Sequence, residues 1–316
     1  MTTPMFQDTD SKLAAVQAEL AQTASFKERA AGAIRRTFDM LLDGVNTGRY
    51  RWEQLYKTEK THFGTLVEIN LQREFDFPGG EKLDYSIAGV EVDCKYSYSE
   101  SWMIPPEAHG ELCMVVAASD QESTWSLGLV RARAEYLNFG RNRDGKATLS
   151  AEGRANIHWL YRDSKLPENI LLHLPQTDVD AIFAPKTGQQ KVNELFRRAQ
   201  GRIVRRAVIA TVAKQLDPMR RVRRGGGSRR DLQKEGIVIL GHYAGHQRVV
   251  AALDLPQPRN GEVVGTRIVQ KKSHHSGRST FTAADGKQYV VALQDDPVEP
   301  APDIDHITNE AKASQA

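Results

Sequence analysis

The sequence predicts an α/β fold in two domains, a mixed-sheet domain followed by a helix-rich domain with a strand of its own. Residues 90–95 alternate between apolar and polar side chains, the pattern of a strand with one buried face. Apolar residues repeat at helical spacing over 62–75 and over 192–199. A polar, proline-containing stretch at 163–170 separates the halves. The 316 residues suffice for two domains that each bury a core.

The first domain is predicted to contain helices at its beginning and mainly strands after them. Helices are expected at about 9–22, 26–45 and 62–75, a β-hairpin over 84–98, strands at 111–118 and 124–131, and a final helix over 151–160. Gly89 permits the tight turn of the hairpin, because glycine adopts positive φ at little cost. Residues 1–162 are therefore assigned to this domain and residues 163–170 to a linker.

The second domain is predicted to span residues 171–294 and to begin with two helices separated by Gly201. Apolar residues mark one helix over 192–199 and another over 203–212. A basic loop with three glycines follows, and then a strand at 236–240. This order is typical of a helix-turn-helix or winged-helix (CAP-like) domain. Residues 295–316 are predicted to be a disordered tail, since they are polar and rich in proline.

The predicted hairpin brings two aspartates and a lysine together. Asp93 and Lys95 share the polar face of the strand, and the turn at Gly89 returns Asp84 beside Asp93. Paired carboxylates suit Mg²⁺, which binds through one or two carboxylates and keeps water ligands. A lysine on the same face can polarise an attacking water or stabilise charge on a phosphate. This is the arrangement of the PD-(D/E)xK nucleases, although a solvated hairpin face can show the same spacing by chance.

Glu68 is a candidate third acidic group. It lies at the margin of the apolar stripe of the predicted helix, where a carboxylate can reach the edge of a sheet. A glutamate in such a position is usually just solvated. Its place ahead of the hairpin, at a separation that suits a helix-to-hairpin connection, favours a role in the metal site. The stripe consists of Phe63, Leu66, Val67, Leu71 and Phe75.

The chain resembles the NaeI family of type II restriction endonucleases, of the type IIE class. The likeness covers nearly the whole chain and is carried by residues 47–62, 64–71, 88–95, 119–121, 149–154, 192–198 and 206–213. It implies a homodimeric, Mg²⁺-dependent endonuclease for double-stranded DNA, with an N-terminal cleavage domain and a C-terminal helix-turn-helix domain. The acidic trio and lysine of the family correspond to Glu68, Asp84, Asp93 and Lys95.

The resemblance also implies properties that no residue of this chain specifies. These are the target GCCGGC cut to blunt ends, and activation by a second DNA site, so that a dimer would hold two duplexes. A cognate DNA methyltransferase is the expected functional partner, because an unmodified genome would otherwise be cut.

The two halves of the chain differ in charge. Residues 1–169 contain 20 Lys+Arg and 25 Asp+Glu, whereas residues 170–316 contain 23 and 15. The basic half, residues 170–316, is expected to bind a polyanion. Arginine suits the geometry of phosphate groups, although a charge run can also be a solvated loop. The predicted DNA contacts are Arg197, Arg198, Arg202, Arg220, Arg221, Arg223, Arg224, Arg229 and Arg230.

The two cysteines, Cys94 and Cys113, lie in apolar strand-like runs and are expected to be buried thiols, which fits a reducing cytoplasm. No signal peptide is recognisable, and the longest apolar run, 112–118, is too short to cross a bilayer. A soluble, cytoplasmic protein without a membrane partner is therefore expected.

Two weaker motifs are interpreted as structural. His242, His246, His274 and His275 lack a further ligand at a zinc-like spacing, so they are expected to be loop histidines. Residues 41–44 resemble the Lys-x-Asp-Gly motif of nucleotidyl-transferring ligases, but Leu41 replaces the lysine and cannot form the phosphoramide bond. A helix end capped at Gly44 explains those residues.

The expected function is site-specific cleavage of duplex DNA by metal-assisted hydrolysis. Two alternatives remain at this point. A structure-specific or nonspecific repair or recombination nuclease would share the metal site, and a DNA-binding regulator with a vestigial nuclease fold would lack one of its groups.

Overall fold

The computed structural model describes residues 10–304, apart from 140–143, 224 and 226. Within these residues the chain forms ten α-helices and thirteen β-strands. The helices are α1 Ser11–Gln22, α2 Phe26–Leu42, α3 Gly44–Thr47, α4 Lys57–Phe75, α5 Ala151–Ala155, α6 Gln176–Phe183, α7 Gly188–Arg198, α8 Arg206–Ala213, α9 Ser228–Gln233 and α10 Ala244–Ala252. The strands are β1 Tyr85–Ile87, β2 Val90–Tyr96, β3 Met103–Ile104, β4 Leu112–Ser119, β5 Thr124–Arg131, β6 Leu137–Phe139, β7 Ala147–Leu149, β8 His158–Lys165, β9 Ile203–Arg205, β10 Ile237–Leu240, β11 Glu262–Gln270, β12 Phe281–Thr282 and β13 Gln288–Val291.

The chain divides into two compact units. The first contains the chain up to Leu41 and the segment Leu55–Glu168, and the second contains Leu42–Gln54 and the chain from Asn169 onward. The segment Leu42–Gln54 was predicted to be part of the first domain. No described helix is long and apolar enough to cross a membrane.

The first unit is built on a mixed sheet, which confirms the predicted α/β class. Its strand order is β1-β2-β4-β5-β8; β2 and β4 are parallel and the other neighbours are antiparallel. Strand β4 is central and buried from Leu112 to Ala118. Helix α4 packs on β2, where the rings of Phe63 and Tyr96 lie 4.7 Å apart. Cys94 and Cys113 are free, buried thiols, as predicted.

The predicted helix over 151–160 is wrong in its second half. Helix α5 ends at Ala155, and strand β8 begins at His158 and pairs antiparallel with β5. Residues 163–165, which were predicted to be part of a linker, lie in this strand. The reason is tertiary: β8 satisfies the backbone groups along the free edge of β5, and this pairing outweighs local helical periodicity.

The predicted cap at Gly44 is also wrong. Helix α2 ends at Leu42, Asp43 adopts the left-handed conformation with φ 45°, and Gly44 begins α3. A Cβ atom on Gly44 would lie 2.0 Å from Oγ1 of Thr211 on α8. Gly44 is therefore required by the close packing of α3 against α8 inside the second unit.

The second unit contains an antiparallel sheet of order β10-β11-β13-β12, in which β9 also pairs with β11. The helix predicted to start at residue 203 starts at Arg206, because Ile203–Arg205 forms ladder hydrogen bonds with β11. The segment Leu42–Gln54 packs in this unit. The Tyr50 side chain lies in the core of the unit, and the Tyr50 carbonyl accepts a hydrogen bond from the side chain of Asn169 (3.0 Å).

The predicted disordered tail is wrong for residues 295–304. Ala301 and Ile304 are buried in an apolar cluster with β10 and α10, and the Ala301 amide donates to the Gln233 carbonyl (2.8 Å). Burial of Ala301 and Ile304 thus orders a segment whose composition is otherwise typical of disorder. Residues 305–316 lie outside the described chain.

Candidate active site

The hairpin turn sets the spacing of the site. Ala88 and Gly89 both have positive φ, 50° and 71°, as a two-residue turn of type I′ requires. The resulting register pairs Ile87 with Val90 and Tyr85 with Val92. Asp84, one residue before Tyr85, therefore comes beside Asp93, as the sequence predicts.

Lys95 lies between the two aspartates. Its Nζ donates to Oδ1 of Asp93 (2.8 Å), to the carbonyl of Cys94 (3.1 Å) and to Oδ2 of Asp84 (3.3 Å). The same Oδ2 accepts the Cys94 amide at 2.7 Å. Burial tends to lower the pKa of Lys95, but the neighbouring carboxylates outweigh it and the pKa lies above its usual value. Lys95 therefore remains a cation at neutral pH.

Asp93 is the most buried acidic group of the site, with 3% of its surface exposed. Its Oδ2 is buried and has no hydrogen-bond partner. Burial raises the pKa of Asp93, and the charge of Lys95 offsets only part of that effect. A buried carboxylate oxygen without a partner is costly, and a divalent cation is a group that would satisfy it. The residues present fit a Mg²⁺ ion.

Glu68 lies on α4, and its main chain is tied to β1 because the hydroxyl of the buried Tyr85 donates to the Glu68 carbonyl (2.7 Å). Its carboxylate is half-buried. Burial raises the pKa of Glu68, and the negative charge of Asp84 adds to the effect. The charges of Asp84 and Asp93 thus both oppose the ionisation of Glu68, and closely spaced carboxylates of this kind are a typical environment for a cation site.

Two groups near the site carry no signal in the sequence. In the sequence, Tyr85 looks like any other strand residue. In the structure, its hydroxyl bonds to the Glu68 carbonyl and so links α4 to the hairpin. Glu107, on the turn after β3, is close enough that its charge contributes to the raised pKa of Asp93. Both depend on non-local packing, so residue spacing could not reveal them.

The predicted DNA-contacting arginines differ in their partners, and two of them pair with acidic residues. Arg197 makes a bidentate ion pair with Glu235 (2.7 and 2.8 Å) and a contact with Glu194 (2.9 Å). Arg198 bonds to Glu194 (2.7 Å) and Asp178 (3.0 Å). The charge of these two arginines is matched within the unit.

Three further arginines donate hydrogen bonds to neutral acceptors. Arg202 donates to the His173 carbonyl (2.9 Å), Arg221 to the Gln215 side chain (2.6 Å) and Arg229 to the Ile239 carbonyl (2.8 Å). Three others are solvent-exposed, and one lies outside the described residues. The exposed arginines are Arg220, Arg223 and Arg230, and the undescribed one is Arg224.

One cluster in the second unit has the spacing of a metal site: His274, His275 and Asp296. Its hydrogen bonds indicate a structural role instead. The Lys272 amide donates to Nδ1 of His275 (3.0 Å), so the proton of this imidazole is on Nε2, which donates to Asp296 (2.9 Å). A metal at Nε2 would require the loss of that proton. The cluster therefore joins Asp296, at the start of the 295–304 segment, to His274 and His275 within the second unit.

Comparison with known proteins agrees with the geometry. The family model for restriction endonuclease NaeI matches residues 15–300. The chain is 48% identical over 305 residues to the type II restriction enzyme NaeI of Lentzea aerocolonigenes, in an alignment that covers 94% of this chain and 95% of that protein. On this evidence the chain belongs to the NaeI restriction endonuclease family.

Proposed function

We propose that this protein is a type II restriction endonuclease, which makes site-specific double-strand breaks in DNA by Mg²⁺-dependent phosphodiester hydrolysis. The observation that carries the proposal is the convergence of Asp84, Asp93 and Lys95 at one end of a hairpin, with Oδ2 of Asp93 buried and without a partner. Glu68 supplies a third carboxylate. The arrangement supports a PD-(D/E)xK nuclease fold for the first unit.

The metal-binding role falls to the carboxylates. Asp84 and Asp93 would hold Mg²⁺, and Glu68 would assist directly or through water. When bound, the ion supplies Lewis-acid stabilisation of phosphate charge and lowers the pKa of a water molecule.

Lys95 is the group that would position the nucleophilic water or stabilise the phosphate. Its three N–H donors are matched by three acceptors, of which Asp84 is the most distant at 3.3 Å. Asp84 and Asp93 would thus serve two purposes, because the carboxylates that would hold the ion also orient the ammonium group of Lys95.

The second unit is proposed as the DNA-binding effector domain, with a helix-turn-helix or winged-helix character. Its excess of basic residues and the exposed Arg220, Arg223 and Arg230 support this role. By family membership we also propose a cytoplasmic homodimer, activation by a second DNA site, the target GCCGGC with blunt ends, and a cognate methyltransferase as partner.

The experiment that tests the proposal is cleavage of a plasmid panel with Mg²⁺, followed by mapping of the ends. Cuts at one palindrome are expected, and Asp93→Asn should lower cleavage by several orders of magnitude because the site residues act as a unit. Asp76→Asn is the matched control: Asp76 is exposed, with φ 53°, a conformation that asparagine also tolerates. Cuts without sequence preference would indicate a repair or recombination nuclease instead.

The second-site proposal has its own test. A plasmid with one target site is digested with and without a short cognate duplex that resists cleavage. Acceleration in trans supports an effector site. Coupling between two such sites typically changes the affinity of each for its ligand by about 5–150-fold. Simple competitive inhibition at every duplex concentration contradicts it.

A further inference from the structure

Glu91 shares a strand face with Asp93 and Lys95, but its carboxylate is engaged elsewhere. Oε1 accepts the backbone amide of Glu81 (2.8 Å), and Oε2 accepts those of Lys82 (3.1 Å) and Leu83 (2.8 Å). These amide hydrogen bonds hold the pKa of Glu91 below its usual value. The hydrogen bonds of the Glu91 carboxylate are therefore made with backbone amides of residues 81–83.

The chain that surrounds Glu91 is the loop of residues 80–83, which leads directly into Asp84. A Cβ atom on Gly80 would lie 2.5 Å from the Leu83 carbonyl oxygen and 2.6 Å from Oε2 of Glu91, so the loop can close only with glycine at this position. The Gly80 amide in turn lies 3.4 Å from the carbonyl of Asp84. The loop is therefore folded around the carboxylate of Glu91.

Asp84 has one further support on this side, an isolated bridge between Gly79 and Tyr85, in which the Ser86 amide donates to the Pro78 carbonyl (2.8 Å). Strand β1, which follows it, has only three residues and lies at the edge of the sheet, with β2 as its neighbour. On the other side, the Cys94 amide fixes Oδ2 of Asp84 at 2.7 Å. Mg²⁺ demands nearly ideal octahedral geometry, so small displacements of a ligand lower its affinity. Partners that orient a ligand are commonly as important as the ligand itself.

We propose that Glu91 is a positioning residue for Asp84 and thereby sets the affinity of the site for its divalent cation. The inference rests on the proposed function, in which Asp84 is a metal ligand. Glu91 acts by fixing the loop of residues 80–83 and does not contact the metal.

The test is Glu91→Gln, which keeps the shape of the side chain but replaces one acceptor oxygen with an NH₂ group that cannot accept an amide hydrogen. The matched control is Glu81→Gln, which removes the same charge from the same loop; the Glu81 side chain is exposed and only its backbone amide contacts Glu91. Glu91→Gln should need about tenfold more Mg²⁺ for half-maximal cleavage, with a rate near that of wild type at saturating Mg²⁺. Glu81→Gln should behave as wild type.

Two measurements are independent of cleavage. Calorimetric titration of the DNA-free protein with Mn²⁺ should give about tenfold weaker binding for Glu91→Gln. Hydrogen exchange at the amides of residues 81–83 should accelerate in this variant and not in the control. Glu91→Asp, which keeps the charge and both oxygens on a shorter side chain, should fall between wild type and Glu91→Gln, and it serves if the glutamine variant folds poorly.

The outcomes separate this inference from the proposed function. Faster exchange with unchanged Mn²⁺ affinity would mean that Glu91 only holds the loop, and the inference would be overturned. A lost cleavage rate that high Mg²⁺ does not restore would also overturn it. If Asp93→Asn still cleaves at the wild-type rate, the proposed function itself fails, whatever Glu91 does.

Discussion

Replacing Lys95 by methionine tests the charge balance of the site most directly. The substitution keeps most of the apolar length of the side chain and removes the only cation that contacts Asp93 and Asp84 among the described ion pairs. Both oxygens of Asp93, a residue with 3% exposure, would then be buried without a partner.

The expected cost follows from that burial. Removing one partner of a buried ion pair typically destabilises a protein by about 3–5 kcal/mol. Here the side chain of Lys95 is 24% exposed and that of Asp84 21%, so solvent screens part of the effect. Asp93 can also take up a proton. We therefore expect a loss of about 2–3 kcal/mol near neutral pH, which would lower the Tm of a unit of this size by about 5–10 °C.

The loss of stability caused by Lys95→Met should depend on pH in a defined direction. The folded-state pKa of Asp93 is already raised, and loss of Lys95 would raise it further. An acid with a raised folded-state pKa stabilises the fold when protonated, and this contribution is lost as pH rises through that pKa. The deficit of Lys95→Met should therefore be large at about pH 8 and should shrink toward about pH 5.

The assay is thermal unfolding of metal-free protein across this pH range, together with plasmid cleavage. Adding Asp93→Asn to Lys95→Met should recover most of the lost Tm, because no buried charge remains at that position, but it should not recover cleavage. An unchanged Tm at about pH 8, together with cleavage within about tenfold of wild type, would refute this description of the site.

Three further predictions concern other parts of the chain. Glu68→Gln should raise the Tm of metal-free protein at about pH 8, because the pKa of Glu68 is raised by burial, and should lower cleavage by at least about 100-fold. Tyr50→Ala should destabilise the second unit by about 3 kcal/mol in thermal unfolding, and a fragment that begins at residue 169 should melt lower than the full chain. Alanine at Arg220 and Arg223 should reduce the salt dependence of DNA binding by about one unit for each lost phosphate contact, whereas Arg197→Ala should mainly lower the Tm, as Arg197 pairs with acidic residues.

Local patterns predicted the elements that local interactions determine. The bounds of β5, 124–131, agree with the predicted strand, and the hairpin around Gly89 forms as predicted. Helix α4 begins at Lys57, five residues earlier than predicted, and the Glu59 carboxylate caps it by accepting the Tyr56 amide (2.8 Å). Alternation along β2 likewise places Asp93 and Lys95 side by side, because the period of a strand is a local property.

The errors share a physical origin. The first residues of strand β8 were taken for the end of a helix and its last residues for a linker. Strand β9 was taken for the start of a helix, and 295–304 for a disordered tail. In each case the backbone is ordered by partners distant in sequence: β5, β11 and the cluster around β10. Hydrogen bonding and burial of that kind outweigh intrinsic propensity, and a single sequence does not show which partner will be available.

The sequence by itself determined which functional groups lie together at the site, since one turn and one strand set the relative positions of Asp84, Asp93 and Lys95. Only the tertiary structure decided how that chemistry is supported. It left Oδ2 of Asp93 without a partner, turned Glu91 toward the loop before Asp84, and placed Leu42–Gln54 in the second unit. Burial and non-local hydrogen bonds produce these features, because they depend on which chain segments exclude water from one another.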